Sequence, residues 1–492
     1  MQTRKDRWQD DLFVAGPLSS LIPDDHLLKR VDKVLDVSWL HEEVRDCYCQ
    51  DNGRPSIDPE AALRLMLAGF FEGIVHDRKL MQRAQTDLSF RWFAGYALHE
   101  RLPEHSSLTR IRQRWGAERF RRIFEKTVEA CLKAGLVNGQ TVHVDASLIR
   151  ADVSWKSITV QHVERVVEAN VEDAVSASDD DEPPRRGRGR PAGAPKSKKV
   201  STTDPDTSLA TSRSDYPLQP CYKQHTAVDD HAGVIVDVAL TTGEASEGQY
   251  LLEQLERVEA LTGRPVERVT ADAGYAHGTN YARLEERRTD AVIPPQRPPR
   301  HPKRIPARRF KYDARHRLVR CPAGKTLERK SRTEHPSGWR YAARACDCAA
   351  CPLRARCFSE SARVRIVLIA DGHEARLRAR RRKEQGWDEP TREWYDRHRW
   401  RAEGAHGEAK TQHGLSRAVR RGTDNVAIQV YLTAAVMNLK RLARAAVAPT
   451  GSLVRTTGTL TTLKRLWSRL KRVGRLDTVD TAFNRTALGL AA

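Results

Sequence analysis

Long apolar runs are missing from this 492-residue sequence. The best candidates, Ile366–Ala370 and Ala434–Leu439, are core-sized and fall far short of the roughly 18 residues that cross a bilayer, which excludes a helical membrane protein. The opening residues, MQTRKDRWQDDLF, have no apolar stretch, so no export signal is expected. No repeat of solenoid length is present. Acid is also in short supply: 64 Asp and Glu face 85 Lys and Arg, a net charge of +21. That imbalance points to a polyanionic partner, either nucleic acid or an anionic membrane surface. Cysteines number only nine, but several cluster. Without an export signal, such a cluster reads as metal ligands before disulfides. With 39% hydrophobic and 30% charged residues the chain can build packed cores, in about three domains by length.

Residues 1–139 read as helical. Asp58-Pro59-Glu60 is a helix start, followed by Leu63, Met66, Leu67, Phe70 and Phe71 at helical spacing. A second helix opens at Ser106-Ser107, with Leu108, Ile111 and Trp115 on one face and Arg110, Arg112 and Arg114 beside it, a face that suits either solvent or phosphates. Residues 140–295 alternate strands and helices. The strand in QTVHVDASLI ends near Asp145, YKQHTAVD and VIVDVAL form a hairpin, and a helix over Glu247–Leu261 leads to a strand ending at Asp272. The Pro-, Gly-, Ser- and charge-rich stretch 175–215 reads as a disordered basic linker. Residues 296–385 are a basic, cysteine-rich insertion, with ten Lys or Arg against one acid between Gln296 and Arg320. A helical segment over 386–445 and a basic tail over 446–492, with an amphipathic helix at Leu460–Val473, complete the chain. The overall expectation is a mixed α/β sheet with helices packed on it.

Three carboxylates stand out. Asp145 and Asp272 follow alternating β-branched residues at strand ends, where α/β sites form. Glu403 lies on a late helix, YDRHRWRAEGAHGEAK, with Arg399 and Lys410 on about the same face. Convergence of the three would hold Mg²⁺ or Mn²⁺ through oxygen ligands, and the flanking bases would suit phosphates. Glu408, five residues on and roughly 140° around the axis, is expected in solvent or in a local pair. His225 is expected as a sheet-edge histidine.

VHVDAS, YKQHTAVD, ADAGYAHGTNYARLEE, CPAGKTL, CAACPLRARC and RWRAEGAHGEAKTQHGLSRA, with the N-terminal GRPSIDPEAALRLML and SSLTRIR, resemble segments of the DDE transposases of bacterial insertion sequences, in the branch with a helical N-terminal domain and a cysteine-bearing insertion. The resemblance implies an RNase H-like catalytic domain that cuts and joins element ends with Mg²⁺ or Mn²⁺. Catalysis would fall to Asp145, Asp272 and Glu403. The family signature near the Glu places a Tyr where this chain has Asp396; Tyr395 is one residue early, while Arg399, Glu403 and Lys410 fit.

Cys321, Cys348, Cys351 and Cys357 offer four thiolates from two loops, suited to a structural Zn²⁺ site in a zinc-ribbon-like insertion, with Cys346 spare or exchanging with Cys348. Cys47, Cys49, Cys131 and Cys221 read as ordinary thiols. Arg188 and Arg190, in RGRP, match the core of a minor-groove-binding AT-hook. The expected partners are terminal inverted repeats and target DNA as duplexes, and a second copy of the chain, since two ends must meet. A cytoplasmic, nucleoid-associated location is expected, with no membrane role. The rival reading is a non-catalytic DNA-binding protein descended from a transposase.

Overall fold

The computed structural model describes residues 16–49, 56–162, 197–211, 217–296, 304–334 and 337–447. Arg188, Arg190 and the expected helix at Leu460–Val473 lie outside them. The chain divides into two units, Met1–Leu442 and Ala443–Ala492, and only 443–447 of the second are described.

The N-terminal part is helical: α1 (Leu27–Asp32), α2 (Leu40–Glu43), α3 (Pro59–Phe71), α4 (Asp77–Thr86), α5 (Leu88–Phe93) and α6 (His105–Lys133). Helix α3 starts as its sequence requires. The Asp58 carboxylate accepts from the Glu60 and Ala61 N–H groups, and Pro59 takes the first helical position. Its apolar residues are buried nearly all round, so α3 is the centre of this region. Helix α6 bends at Gly116, whose φ of 71° leaves the helical region. Arg112 corrects the expected basic face: only 2% exposed, it clasps Asp77 through both terminal nitrogens. Thr109 Oγ1 donates to the same carboxylate at 2.9 Å, as does Arg420 at 2.9 Å. Arg110 and Arg114 are exposed.

The central sheet holds β1 (Thr141–Arg150), β4 (Ser208–Ala210), β5 (Gln219–Asp229), β6 (Ile235–Thr242), β7 (Arg268–Thr270) and β8 (Asp290–Val292); β2 (Ile158–His162) and β3 (Ser197–Ser201) pair separately. Strand β1 sits at the middle. On one side it pairs antiparallel with β5, whose far edge carries β6 and β4, and on the other it pairs parallel with β7 and then β8. Two crossover helices, α7 (Leu251–Thr262) and α8 (Gly278–Glu286), make the parallel half possible. Strands β3 and β4 fall within 175–215, so that stretch is not wholly a linker.

The cysteine-rich insertion is an antiparallel sheet in the order β13-β12-β11-β10-β9, made of β9 (Lys311–Asp313), β10 (Leu318–Arg320), β11 (Thr326–Glu334), β12 (Ser337–Ala343) and β13 (Ile366–Ala370). Its core of Phe310, Val319, Leu327, Tyr341 and Val367 packs under two short helices, α9 (Ala345–Ala349) and α10 (Arg354–Cys357). Next comes the basic α11 (His373–Glu384), which lies on α8. Contact there is close enough to require glycine: a Cβ on Gly372 would stand 2.0 Å from the Gly278 carbonyl oxygen. Arg378 and Arg382 add ion pairs to Glu285 and Asp290. The last helices are α12 (Glu389–His398), a π-helical turn at Arg399–Glu403, α13 (Gly404–Gln412) and α14 (Thr423–Val447). Asn438 of α14 is pinned to both backbone groups of Ile235 on β6. Among the described residues no helix is long and apolar enough to cross a membrane.

Asp77 is the fastener of the helical region. Burial pushes its pKa up, but the Arg112 bond and the Arg112 and Arg420 charges outweigh that and hold it below the ordinary Asp value. Asp77→Asn should therefore lower stability by about 3–5 kcal/mol at pH 7 in urea unfolding, because it leaves Arg112 buried without its partner. A depressed folded pKa contributes stability above the unfolded value and loses it as pH falls, so the gap to wild type should narrow below the ordinary Asp value of 3.8.

Candidate active site

Strand pairing places the first two carboxylates. Strands β1 and β7 pair only over Thr141–His143 and Arg268–Thr270, with His143 opposite Thr270 as the last couple. Asp145 and Asp272 each follow two residues later. Side chains alternate along a strand, so a step of two from adjacent parallel positions keeps both on one face. Asp145 is not at a strand end as expected: β1 runs on to Arg150, paired with β5, and Asp145 is bare only on the edge that β7 has left. Asp272 caps a short 3₁₀ turn, accepting from the Gly274 N–H at 2.8 Å.

A cleft of about 740 Å³ opens here, lined by Asp145, Ser147, Lys223, Glu247, Asp272 and Lys410, among others. Glu247, just after β6, is the residue that sequence reasoning missed. Its Oε2 and the Asp272 Oδ1 lie 2.8 and 3.0 Å from one point, where a Cβ on Gly274 would stand. Lys223 Nζ is 3.2 Å from Glu247 Oε1. The missed signal was the acidic pair Glu244 and Glu247 directly after a hairpin strand.

From the other side α13 closes over β1. Lys410 Nζ donates to Ser147 Oγ at 2.6 Å, beside Asp145. Burial lowers the Lys410 pKa and Asp145 opposes that effect. His406 Nε2 lies 3.8 Å from Asp145 Oδ2, and burial takes its pKa down to about 4. Glu403, on the π turn, is 61% exposed and 3.7 Å from Arg399, itself 83% exposed. The structure thus brings Asp145, Asp272 and Lys410 together and leaves the Glu403–Arg399 pair at the rim. Among the described residues no three His, Cys, Asp or Glu side chains have closed into a ligating group.

Electrostatics mark the cleft. Burial, then the Asp272 charge, with Glu247 and Glu403 adding to it, push the Asp145 pKa up to about 8. Two expectations need correction. Glu408 is not in solvent, and its pairing is not only local: besides His413 at 3.6 Å it bonds Lys440 at 2.9 Å and Arg441 at 3.2 Å on α14. His225 is not at a sheet edge. It sits inside the sheet opposite Ala146, fully buried, with Nε2 2.8 Å from Thr241 Oγ1.

The four expected thiols lie around one end of the insertion sheet. Cys321 follows β10 in a tight turn, where the Lys325 N–H donates to its sulfur at 3.3 Å. Cys348 and Cys357 are buried, Cys351 is half-buried and Cys346 is exposed. Burial raises the Cys357 pKa, as do Cys348, Cys351 and Cys321.

Two family models match the chain: a Transposase domain (DUF772) over residues 17–114, and a Transposase DDE domain over residues 320–443. The first covers the helical region; the second spans the thiols, Glu403 and Lys410, with Asp145 and Asp272 outside both. Transposase-domain models thus match both the helical region and the stretch from the insertion to the last helix, consistent with a DDE transposase of insertion sequences. No curated protein matches it. Similar solved structures include the piggyBac transposase synaptic complex with hairpin DNA, at 11% identity and a TM-score of 0.29, covering 92% of this chain and 85% of that one. Another is the Mos1 mariner paired-end complex with Mn, at 12% identity and a TM-score of 0.15, covering 50% of this chain and 62% of that one. Both scores are below the level from which a shared fold follows.

Asp145 supplies a pH test. Its folded pKa of about 8 lies above the ordinary 3.8, so its ionisation costs nothing below pH 3.8 and takes stability away as pH rises toward 8. Asp145→Asn removes that cost. In thermal unfolding with chelator, the variant should be more stable than wild type at pH 8 and similar to it at pH 4. A gap that does not grow with pH would show that the carboxylates do not oppose one another.

Proposed function

We propose that the cleft is the catalytic centre for metal-dependent cleavage and strand transfer at insertion-sequence ends, in an RNase H-like domain. The single observation that carries this reading is the placement of Asp145 and Asp272, side by side on one face where β1 and β7 part, with Lys410 over them. The sheet order supports the fold: three antiparallel strands, β6-β5-β1, then parallel β7 and β8.

The residues fit a divalent cation. All the carboxylate donors are hard oxygens, Asp272, Glu247 and Glu403 raise the proton affinity of Asp145, and Gly274 keeps the space between Glu247 and Asp272 free of a side chain. Asp145, Asp272 and Glu403 would hold Mg²⁺ or Mn²⁺. Such a cation, when bound, activates the attacking water or 3′-hydroxyl and stabilises the departing oxygen. Lys410, held by Ser147, stands ready for a non-bridging phosphate oxygen, and Arg399 at the rim for a flanking phosphate. The helical region and the basic tail would grip end sequences, with a second copy on the paired end. Arg188 and Arg190 add a minor-groove contact in the same scheme.

The test uses the DNA that flanks the gene, with Mg²⁺ and Mn²⁺. Asp145→Asn, Asp272→Asn and Glu403→Gln should each abolish cleavage while end binding stays. Glu408→Gln should keep the rate per folded molecule within a few-fold but lose about 1–3 kcal/mol of stability, since Lys440 and Arg441 lose a charged partner. Reversed behaviour of the two glutamates would overturn the assignment. Retained end binding with no cleavage by wild type in either metal would favour the non-catalytic alternative.

We also propose that Cys321, Cys348, Cys351 and Cys357 hold one structural Zn²⁺. The N–H to sulfur bond at Cys321 and the mutual proximity of the thiols support it. Elemental analysis of protein purified without chelator should find about one zinc per chain. Folded protein with almost none would remove the site.

A further inference from the structure

Beneath the cleft lies a buried polar chain that the catalytic assignment does not use. His143 Nε2 is 2.9 Å from Asp230 Oδ1, and His143 Nδ1 is 2.6 Å from Thr270 Oγ1. The same Thr270 oxygen is 3.0 Å from His398 Nδ1. His143 and Thr270 are fully buried and His398 is 5% exposed. Burial takes the His398 pKa down to about 3, so that ring is neutral. The Thr270 hydroxyl thus stands between the two rings, within hydrogen-bond distance of both Nδ1 atoms, and Asp230 holds the far side of His143.

The three members occupy telling positions. His143 precedes Asp145 by two residues, Thr270 precedes Asp272 by two, and His398 is the last residue of α12, directly before the π turn that carries Glu403. The chain therefore links the two strands that bear the aspartates to the backbone that bears the glutamate. Asp230, in the β5–β6 turn, closes the frame, with Arg397 and Arg401 near it at 3.5 and 4.0 Å from either side of the π turn's start. Arg401 also donates to the His231 carbonyl at 3.0 Å. A π turn leaves one residue more per turn than an α-helix and is costly to hold without outside contacts. A surface salt bridge such as Glu403–Arg399 contributes little to that.

We propose that His143, Thr270 and His398 are positioning residues that fix the distance between Glu403 and the two aspartates. The inference rests on the catalytic reading above. If it holds, breaking the chain at Thr270 frees the π turn while leaving each carboxylate in place on its own element. The loss then passes through Glu403 alone.

The probe is Mn²⁺, with binding to the full-length protein read from the paramagnetic resonance of the free ion and from calorimetry. Thr270→Val removes both bonds at nearly constant volume. It should weaken Mn²⁺ binding about tenfold, in the 10–100-fold range of residues that orient ligands. Glu403→Gln should weaken it similarly, and the double variant should bind no more weakly than Glu403→Gln alone. Thr270→Ser, which restores the hydroxyl, should return binding to within about threefold of wild type. A purely structural role would multiply the losses in the double variant. Should Thr270→Val fail to fold, His398→Phe breaks the chain at its other end while keeping a ring stacked on Tyr395, and the same relation to Glu403→Gln is expected. Wild-type binding in Thr270→Val, or multiplied losses in the double variant, overturns the proposal. Unchanged binding in Asp145→Asn overturns the metal reading itself, and this inference with it.

Discussion

Everything at the cleft depends on how little of β7 pairs with β1. Three couples join the strands, Thr141–His143 against Arg268–Thr270, and then the ladder stops. Had it continued, Asp145 and Asp272 would face each other in a closed ladder with their edges used up. Because it stops, β1 goes on alone with β5 while the other chain turns at Asp272 into a 3₁₀ turn. The gap between parting strands is the cleft. Parallel pairing also matters, since only parallel neighbours carry equal steps past the last couple in the same direction. The α7 and α8 crossovers and the buried Val142, Val144 and Val269 hold that pairing in the centre of the sheet.

Partial burial of like charges is the cost of this arrangement, and the surroundings offset part of it. Asp145 is pushed toward its protonated form by burial and by three other carboxylates. Lys410 and Lys223 stand in the same cleft, each tied by a hydrogen bond to an uncharged oxygen, Ser147 Oγ and the Ala245 carbonyl. Those bonds hold the ammonium groups beside the carboxylates without closing tight ion pairs onto Asp145. Gly274 keeps the ground between Glu247 and Asp272 open. Lys223 closes on Glu247 at 3.2 Å, while Lys410 stands beside Asp145 with its bond to Ser147.

Much of this was legible in the sequence, and the exceptions have physical causes. Strand and helix periods located β1, β5, β6, α7 and β7 to within a few residues, because each buries one face or two against neighbours. The Asp58-Pro59 start of α3 was legible because capping is local. Arg112 was misread because its helix face looks basic in one dimension, and only the fold brings Asp77 and Arg420 to it. The distant partners of Glu408 went unread for the same reason: Lys440 and Arg441 lie more than thirty residues away on α14. Glu247 was passed over because an acid after a hairpin is ordinary until the sheet closes beside it. The π turn at Arg399–Glu403 has no sequence period at all, since it depends on contacts from the β5–β6 turn.

The contrast between the whole molecule and the cleft has a consequence for how the proposed chemistry is ordered. The chain carries +21 overall, which under the proposed function would draw duplex DNA to it at long range. Inside the cleft Asp272 and Glu247, with the nearby Glu403, crowd enough negative charge around Asp145 to hold it toward its protonated form when no cation is there. Long-range attraction and short-range repulsion together make the cation and the scissile phosphate partners. Under the proposed assignment each lowers the cost of the other, and linkage requires the effect to be mutual. Basic residues outside the cleft can then bind DNA without committing it to reaction, while the acidic interior withholds the phosphate until a cation is present. Under the same assignment Glu403, 3.7 Å from Arg399 at the rim, would add a further negative charge to the cleft on moving inward, which becomes favourable only once positive charge is there to meet it.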